Sequence, residues 1–209
     1  HGREHSFPTR RSSDLFFDGG DAVLEDRREE LINLVFVASH FVPWHGLDLL
    51  LGDLRRCDRP FRLHLVGRVS PDDERVAAAD PRIVLHGLLR GEEIKTLTAR
   101  CDLGLASFAL HRKNMHEACT LKVREYLSCG VPVYSGHEDV FPQGFRFYRR
   151  GEPLLDDILR YADECRSVSR REVAREAQPF ISKESLLGKL QGELVEAFED
   201  FGALRDYRR

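Results

Sequence analysis

From Leu31 onward, the chain alternates between compact apolar runs and stretches in which apolar residues recur at helical spacing. The runs are four to six residues long and are typical of buried strands. They lie at 34–38, 61–66, 83–86 and 103–107. Helical patterns follow the first three runs, at 47–54, from Pro71 onward and at 92–100. This alternation predicts an α/β domain in which a Rossmann-like parallel sheet carries helices on both faces.

The segment from Asn114 to Pro132 continues the alternation after a polar loop at 110–118. Thr120 is suited to cap a helix over 121–129, and Gly130 stands where a left-handed residue ends a helix. A strand is expected at 131–134, and a further one at 145–148. Beyond Gly151 the pattern is helical only, which predicts helices that cover the sheet edge or dock onto another domain. These helices are expected at 154–164, 170–177 and 183–201.

The first fifteen residues have a different character. His5 to Leu15 reads as the translation of a widely used sequencing-library adapter, the alternative being an ordinary polar tail. We therefore interpret 1–15 as a non-native tail, 16–30 as a linker and 31–209 as the folded domain with its C-terminal helices. A tail of this origin also predicts that the natural protein begins further upstream.

Composition and charge limit the classes of function. A chain of 209 residues with 42% hydrophobic residues can form one core, and a net charge of -3 gives no reason to expect a nucleic-acid partner. No stretch approaches 18 apolar residues, and the N-terminus lacks the apolar segment of a signal peptide. We therefore expect a cytoplasmic protein without a transmembrane segment, compatible with peripheral contact at the inner face of a membrane.

Cysteine and histidine spacing does not indicate a metal or redox site. The five cysteines include no Cys-x-x-Cys pair, and the nine histidines include no His-Glu-x-x-His pair. We therefore expect neither a metal nor a cofactor.

Two carboxylates eight positions apart provide the strongest indication of chemistry. Glu117 lies in the predicted loop, and Glu125 lies on the second turn of the helix that follows. The helix N-terminus between them offers free N–H groups and a partial positive charge to an anion. This arrangement suits a ligand with hydroxyls on both sides of a diphosphate, which is a nucleotide sugar. The alternative is a surface ion pair between Lys122 and Glu125.

The segment 117–132 resembles the Glu-x7-Glu signature of retaining GT-B glycosyltransferases of the family-4 type. Residues 121–132 match its Leu-Lys-x-x-Glu-Tyr-x-x-x-Gly-x-Pro form, and 109–113 resembles bacterial members that build surface polysaccharides. Further similarity lies at 44–50, 65–67 and 84–87. The resemblance implies the C-terminal, donor-binding domain of a GT-B enzyme, without the N-terminal acceptor domain. It also implies transfer from a nucleotide sugar to a glycan or lipid-linked acceptor.

The resemblance further implies roles for individual residues. Glu117 contacts the donor hexose and is the expected catalytic residue, whereas Glu125 binds the ribose hydroxyls. Lys122 neutralises the leaving group. The backbone at Thr120 and Leu121 holds the diphosphate. The base lies beside Gly87 and Leu88.

One departure from the family pattern concerns the diphosphate. Many members place Arg and Lys after the first strand, where this chain has Ser39 and His45. His45 is expected to substitute when protonated, and Arg112 or Lys113 is expected to reach in from the loop.

Three other classes of protein remain open from the residues. A nucleotide-sugar epimerase of GT-B fold has the same donor site. A dinucleotide oxidoreductase is disfavoured, because Ala38-Ser39-His40-Phe41 stands where a Gly-x-Gly-x-x-Gly loop is expected. The third is a non-catalytic interaction domain, which would bind no nucleotide.

Overall fold

The computed structural model describes residues 30–206, so the predicted tail and most of the predicted linker lie outside the described residues. The strands are β1 (Ile32–His40), β2 (Phe61–Arg68), β3 (Ile83–Gly87), β4 (Leu103–Leu105), β5 (Val133–Ser135) and β6 (Tyr148–Arg150). The helices are α1 (Leu47–Gly52), α2 (Pro71–Ala78), α3 (Gly91–Thr98), α4 (Leu121–Ser128), α5 (Leu155–Cys165), α6 (Arg170–Ile181) and α7 (Lys183–Asp206).

The described residues separate into two units. The first continues through Ile181 and contains the sheet, whereas the second contains α7. In α7, Leu187, Leu190 and Leu194 recur at helical spacing and are exposed. No helix between residues 30 and 206 combines the length and apolar character that crossing a membrane requires.

All six strands are parallel and lie in the order β3-β2-β1-β4-β5-β6. Strands β2 and β3 are therefore added in turn on one side of β1. The chain then crosses to the other side of β1 to form β4, and β5 and β6 are added beyond it. Phe36 of β1 is in register with Leu65 of β2 and Leu105 of β4, which places the reversal between β1 and β4. In sheets of this kind, ligands bind beyond the carboxyl ends of the strands at the reversal.

Alternate residues of the strands enter two separate cores, as expected for a sheet covered on both faces. Leu34 and Phe36 pack under the helices of one face, whereas Val35 packs under those of the other. The first face is covered by α1, α2 and α5, and the second by α3, α4 and α6. The predicted fold class is confirmed, and α5 and α6 cover the faces of the sheet rather than its edge.

Two predicted strands begin too early. The strand expected at 131–134 begins at Val133, because the Val131 N–H instead closes the end of α4 by donating to the Tyr126 carbonyl oxygen at 2.9 Å. The strand expected at 145–148 begins at Tyr148. The aromatic residues Phe145 and Phe147 pack in the core beneath α6 instead.

The helix that carries the Glu-x7-Glu segment is anchored to the sheet by Tyr126. Its ring lies against Gly104 of β4 so closely that a Cβ atom there would lie 2.3 Å from it. Its hydroxyl accepts a hydrogen bond from the Val37 N–H of β1 at 2.9 Å. At the end of the helix, Gly130 has the predicted left-handed backbone with φ 69°. These contacts position α4 above the β1–β4 reversal.

Candidate donor-binding site

The predicted site residues lie at one edge of the sheet, where the parallel strands end. Ser39 is exposed near the end of β1, and Gly87 ends β3 beside Leu88, whose side chain is 56% exposed. Glu117 lies in the long connection from β4 to α4, and α4 begins at the same edge. This is the edge at which ligands of such sheets bind.

The N-terminus of α4 lacks a side-chain cap. Thr120 occupies the predicted N-cap position with extended backbone, φ -96° and ψ 141°, but its side chain makes no capping hydrogen bond. Its Oγ1 is buried and has no hydrogen-bond partner. The prediction that Thr120 caps the helix is therefore right for the backbone and wrong for the hydroxyl. Uncapped N–H groups and an unpaired hydroxyl leave hydrogen-bonding capacity for an anion.

Lys122, in the first turn of α4, has a buried ammonium group without a hydrogen-bond partner. Nζ lies 5.4 Å from the centroid of the Phe36 ring. Burial lowers the pKa of Lys122 to about 8, and the charge of Glu125 opposes this shift. The alternative of a solvated surface ion pair between Lys122 and Glu125 is wrong, because Nζ is neither solvated nor paired.

Glu125 lies one turn further along α4 and is half-buried. Burial raises the pKa of its carboxyl group, while Lys95 and Lys122 act in the opposite direction. Leu121, at the start of the helix, is 50% exposed. Its side chain therefore leaves the first turn open.

His45 is held beside this region by a tight turn before α1. Gly46 has φ 70°, and a Cβ atom there would lie 2.9 Å from that of Phe108. The His45 carbonyl oxygen accepts from the Phe108 N–H at 2.9 Å. These contacts tie the turn to the segment after β4.

The charge state of His45 differs from the one expected from sequence. Burial, followed by the charge of Lys122, lowers the pKa of His45 to about 4, so the ring is neutral at neutral pH. Nδ1 accepts from the Val42 N–H at 3.0 Å, which places the ring proton on Nε2. His45 therefore offers a neutral N–H donor rather than a cation.

The two cations of the β4–α4 loop have partners outside the helix N-terminus. Arg112 donates to both carboxylate oxygens of Asp48 at 2.9 and 2.8 Å, and to the Pro43 carbonyl oxygen at 2.7 Å. Lys113 Nζ lies 3.5 Å from the centroid of the Trp44 ring. The guanidinium of Arg112 is bound to Asp48 of α1 in this structure, and a contact of Arg112 or Lys113 with the diphosphate stays a prediction.

Glu117 is exposed, as are its loop neighbours at 111–116. The main chain on either side of it pairs with Glu138, which follows β5. The Ala118 N–H donates to the Glu138 carbonyl oxygen, and the Glu138 N–H donates to that of His116, each at 2.9 Å. The carboxylate is therefore free to meet a ligand while its backbone is anchored.

Sequence reasoning missed three residues at 137–139, which follow β5 after Gly136. His137 is buried, with Nδ1 2.6 Å from Ser135 Oγ, and its Nε2 has no hydrogen-bond partner. The side chain of Asp139 is fully buried and paired with Arg124 of α4. A polar triplet at the end of a predicted strand, His137-Glu138-Asp139, was the available signal. Residues 30–206 hold no group of three or more His, Cys, Asp or Glu suited to a metal ion, and the expectation of no metal remains a prediction.

The sequence pattern of the family Glycosyl transferases group 1 matches residues 32–143. The chain therefore belongs to the group 1 glycosyl transferases, a family of enzymes, and its sheet is that of a GT-B glycosyltransferase domain. No curated protein sequence matches the chain.

Solved structures support the same fold. The glycosyltransferase from Rickettsia africae has a TM-score of 0.61 at 14% identity, covering 80% of this chain and 48% of that one. Anabaena Alr3699/HepE in complex with UDP-glucose has a TM-score of 0.58 at 18% identity, covering 80% and 49%. The lipopolysaccharide outer core galactosyltransferase WaaB has a TM-score of 0.59 at 13% identity, covering 81% and 50%. The chain thus spans about half the length of these proteins.

Proposed function

We propose that this chain is the donor-binding half of a retaining glycosyltransferase that transfers a sugar from a nucleoside-diphosphate sugar to a glycan or lipid-linked acceptor. The observation that carries the proposal is the N-terminus of α4, where uncapped N–H groups meet the buried, unpaired ammonium of Lys122. A buried charge without a partner is costly, and a bound diphosphate would supply the partner.

The residues around this helix end fit successive parts of the donor. Glu125 accepts hydrogen bonds from the two ribose hydroxyls, because a carboxylate has two acceptor oxygens. The α4 N-terminus and Lys122 hold the diphosphate, aided by the neutral Nε2–H of His45. Glu117 orients the hexose, and Gly87 and Leu88 flank the base.

Catalysis in this proposal consists of positioning and charge stabilisation. The bond between the anomeric carbon and the diphosphate oxygen breaks, and the nucleoside diphosphate leaves with the bonding electrons. Negative charge develops on the leaving oxygen, next to Lys122 and the helix N–H groups, which are already oriented towards it. The acceptor hydroxyl attacks the same carbon from the face that the diphosphate leaves, which retains the configuration, and its proton passes to the departing diphosphate oxygen.

Two similarities support the class of donor and the biological setting. Anabaena HepE is described in complex with UDP-glucose, and WaaB is described as a lipopolysaccharide outer core galactosyltransferase. We infer a UDP-sugar as the first donor to test, and cell-surface polysaccharide synthesis at the inner face of the membrane as the setting.

Calorimetric titration of the chain with UDP-, GDP- and ADP-sugars tests the proposal. One series is expected to bind, and Glu125→Ala is expected to weaken that binding about tenfold or more, since it removes hydrogen bonds to a charged group. Glu164→Ala is the matched control, because this exposed carboxylate on α5 pairs with Arg149 of β6. Absence of binding in all three series, or wild-type affinity in Glu125→Ala, would contradict the proposed function.

A further inference from the structure

A buried ion pair lies next to the segment that anchors Glu117. The guanidinium of Arg124, on α4, donates to both carboxylate oxygens of Asp139 at 2.5 Å. The two side chains are 10% and 0% exposed, respectively. A two-point contact between a planar guanidinium and a carboxylate fixes orientation as well as distance.

Arg124 also contacts the start of α4, which fixes the ion pair relative to the helix N-terminus. Its Nη1 donates to the carbonyl oxygen of Thr120, the N-cap residue, at 3.3 Å. The guanidinium lies 5.2 Å from the centroid of the Phe141 ring. The position of the Asp139 carboxylate is therefore defined relative to the helix end that carries Lys122 and, one residue beyond Arg124, Glu125.

On the other side, Asp139 is adjacent in sequence to the residue that pairs with the Glu117 loop. Two main-chain hydrogen bonds link Glu138 to His116 and Ala118, one on each side of Glu117. The loop residues 111–117 are exposed, and the side chains of Arg112 and Lys113 hold the first part of the loop, whereas the two bonds to Glu138 are the main-chain contacts that flank Glu117. A continuous set of contacts thus leads from α4 through Arg124 and Asp139 to the Glu117 backbone.

We propose that Arg124 and Asp139 are positioning residues that set the spacing between Glu117 and Glu125 and thereby control recognition of the sugar part of the donor. The attraction within a buried ion pair is largely offset by the cost of desolvating both charges, so the pair contributes little net stability. We therefore assign it the role of fixing geometry. The inference rests on the proposed function, in which Glu117 binds the hexose and Glu125 the ribose.

The test replaces the pair by apolar residues of similar size, Arg124→Met with Asp139→Leu, so that no charge is left buried alone. The single variant Arg124→Lys, which keeps the charge but loses the two-point contact, serves if the double variant does not fold. Far-ultraviolet circular dichroism checks that each variant is folded.

The first measurement compares affinity for UDP with affinity for UDP-glucose, or the corresponding pair from the series that the wild type binds. The wild type is expected to bind the nucleotide sugar more tightly. The variant is expected to lose most of that preference, as Glu117→Ala does, while its affinity for the nucleotide stays within about threefold. Adding Glu117→Ala to the variant should then cause no further loss, because both changes act on one contact.

The second measurement needs no ligand. Hydrogen exchange at the Ala118 and Glu138 amides is expected to accelerate about tenfold or more in the variant, with α4 unchanged. The matched control is Arg82→Met with Asp80→Leu, which removes a partly buried ion pair before β3, at the opposite end of the sheet order from β5 and β6. It should change neither the preference for the sugar nor the exchange of these two amides.

The outcomes separate the two proposals. If no nucleotide sugar binds the wild type, the proposed function fails, and the exchange measurement alone decides whether the ion pair holds the loop. If a folded variant keeps the wild-type preference, or keeps wild-type exchange at Ala118 and Glu138, the positioning role is overturned.

Discussion

Lys122 combines a positive charge with an environment that disfavours it. Burial lowers its pKa to about 8, so the group is about nine-tenths protonated at pH 7 and loses its charge over the next two pH units. An unperturbed lysine would stay charged throughout this range. A diphosphate that requires the ammonium should therefore bind less tightly as pH rises through the pKa of Lys122 in the free protein.

We predict that affinity for the nucleotide sugar falls about fourfold between pH 7 and pH 8.5, following the protonated fraction of Lys122. The sign follows from the anion stabilising the protonated form, which raises the pKa of Lys122 in the complex. Isothermal calorimetry across this range measures the effect. A nucleotide sugar is the suitable probe because both of its phosphates are esterified, so the charge of its diphosphate does not change over this pH range.

Two variants identify the titrating group. Lys122→Arg should remove the decline, because a guanidinium stays charged throughout this range, whereas His45→Ala should retain it. His45 is already neutral above a pKa of about 4 and contributes no pH dependence between 6 and 8. A wild-type affinity that is constant up to pH 8.5 would exclude Lys122 as the charge that holds the diphosphate.

Residue types and spacing predict Glu117, Lys122 and Glu125 as site residues, because the motif lies in one short segment. The states of His45 and Arg112 could not be predicted in the same way. The charge of His45 depends on burial, and the partner of Arg112 is Asp48, 64 positions away along the chain. Tertiary contacts of this kind leave no local pattern in the sequence.

At the scale of elements, the placement of α4 depends on a hydrogen bond between a side chain and the sheet. The Tyr126 hydroxyl accepts from the Val37 N–H at the end of the regular β1–β2 register. We predict that Tyr126→Phe lowers the free energy of unfolding by about 1–3 kcal/mol, because it leaves a buried N–H without an acceptor. Urea denaturation followed by circular dichroism measures this loss.

The matched control is Tyr134→Phe, on β5, which is separated from β1 by β4. That hydroxyl donates to the Glu152 carbonyl oxygen at 3.1 Å. This variant removes the hydroxyl donor and leaves the Glu152 carbonyl oxygen able to accept from another donor. The expected loss in the free energy of unfolding is therefore smaller, about 1 kcal/mol. Equal losses in the free energy of unfolding would show that the hydrogen bond to Val37 stabilises the protein no more than the one made by Tyr134.

The order of the elements could be predicted from the sequence, because apolar runs and helical spacing alternate along most of the chain. Their ends could not. The start of β5 depends on the Val131 N–H being used to close α4, and the aromatic run at 145–147 packs as core although its composition is that of a strand. In both cases a tertiary contact takes backbone or side-chain groups that the local pattern assigns to a strand.

At the scale of the whole molecule, the position of the site follows from the sheet order. The reversal between β1 and β4 brings the turn at His45 next to a segment that is distant in sequence, the one that runs from the end of β4 through the Glu117 loop to the start of α4. The resulting site is open on the side of Glu117 and Leu121, both of which are exposed. One face of the donor would thus be bound, while the face that meets the acceptor would remain accessible.

We predict that the chain alone binds a nucleotide sugar without transferring the sugar, and that a longer protein, in which the chain is joined to an acceptor-binding domain, transfers it to a glycan or lipid-linked acceptor. The reason is that the chain spans 48–50% of three similar solved proteins, and the residues of the proposed site are all assigned to the donor. Transfer of labelled sugar, measured for both proteins at equal donor occupancy, checks this. Comparable turnover by the chain alone would mean that the acceptor site lies within these 209 residues. The exposed edge around Glu117 would then be the place to search for it.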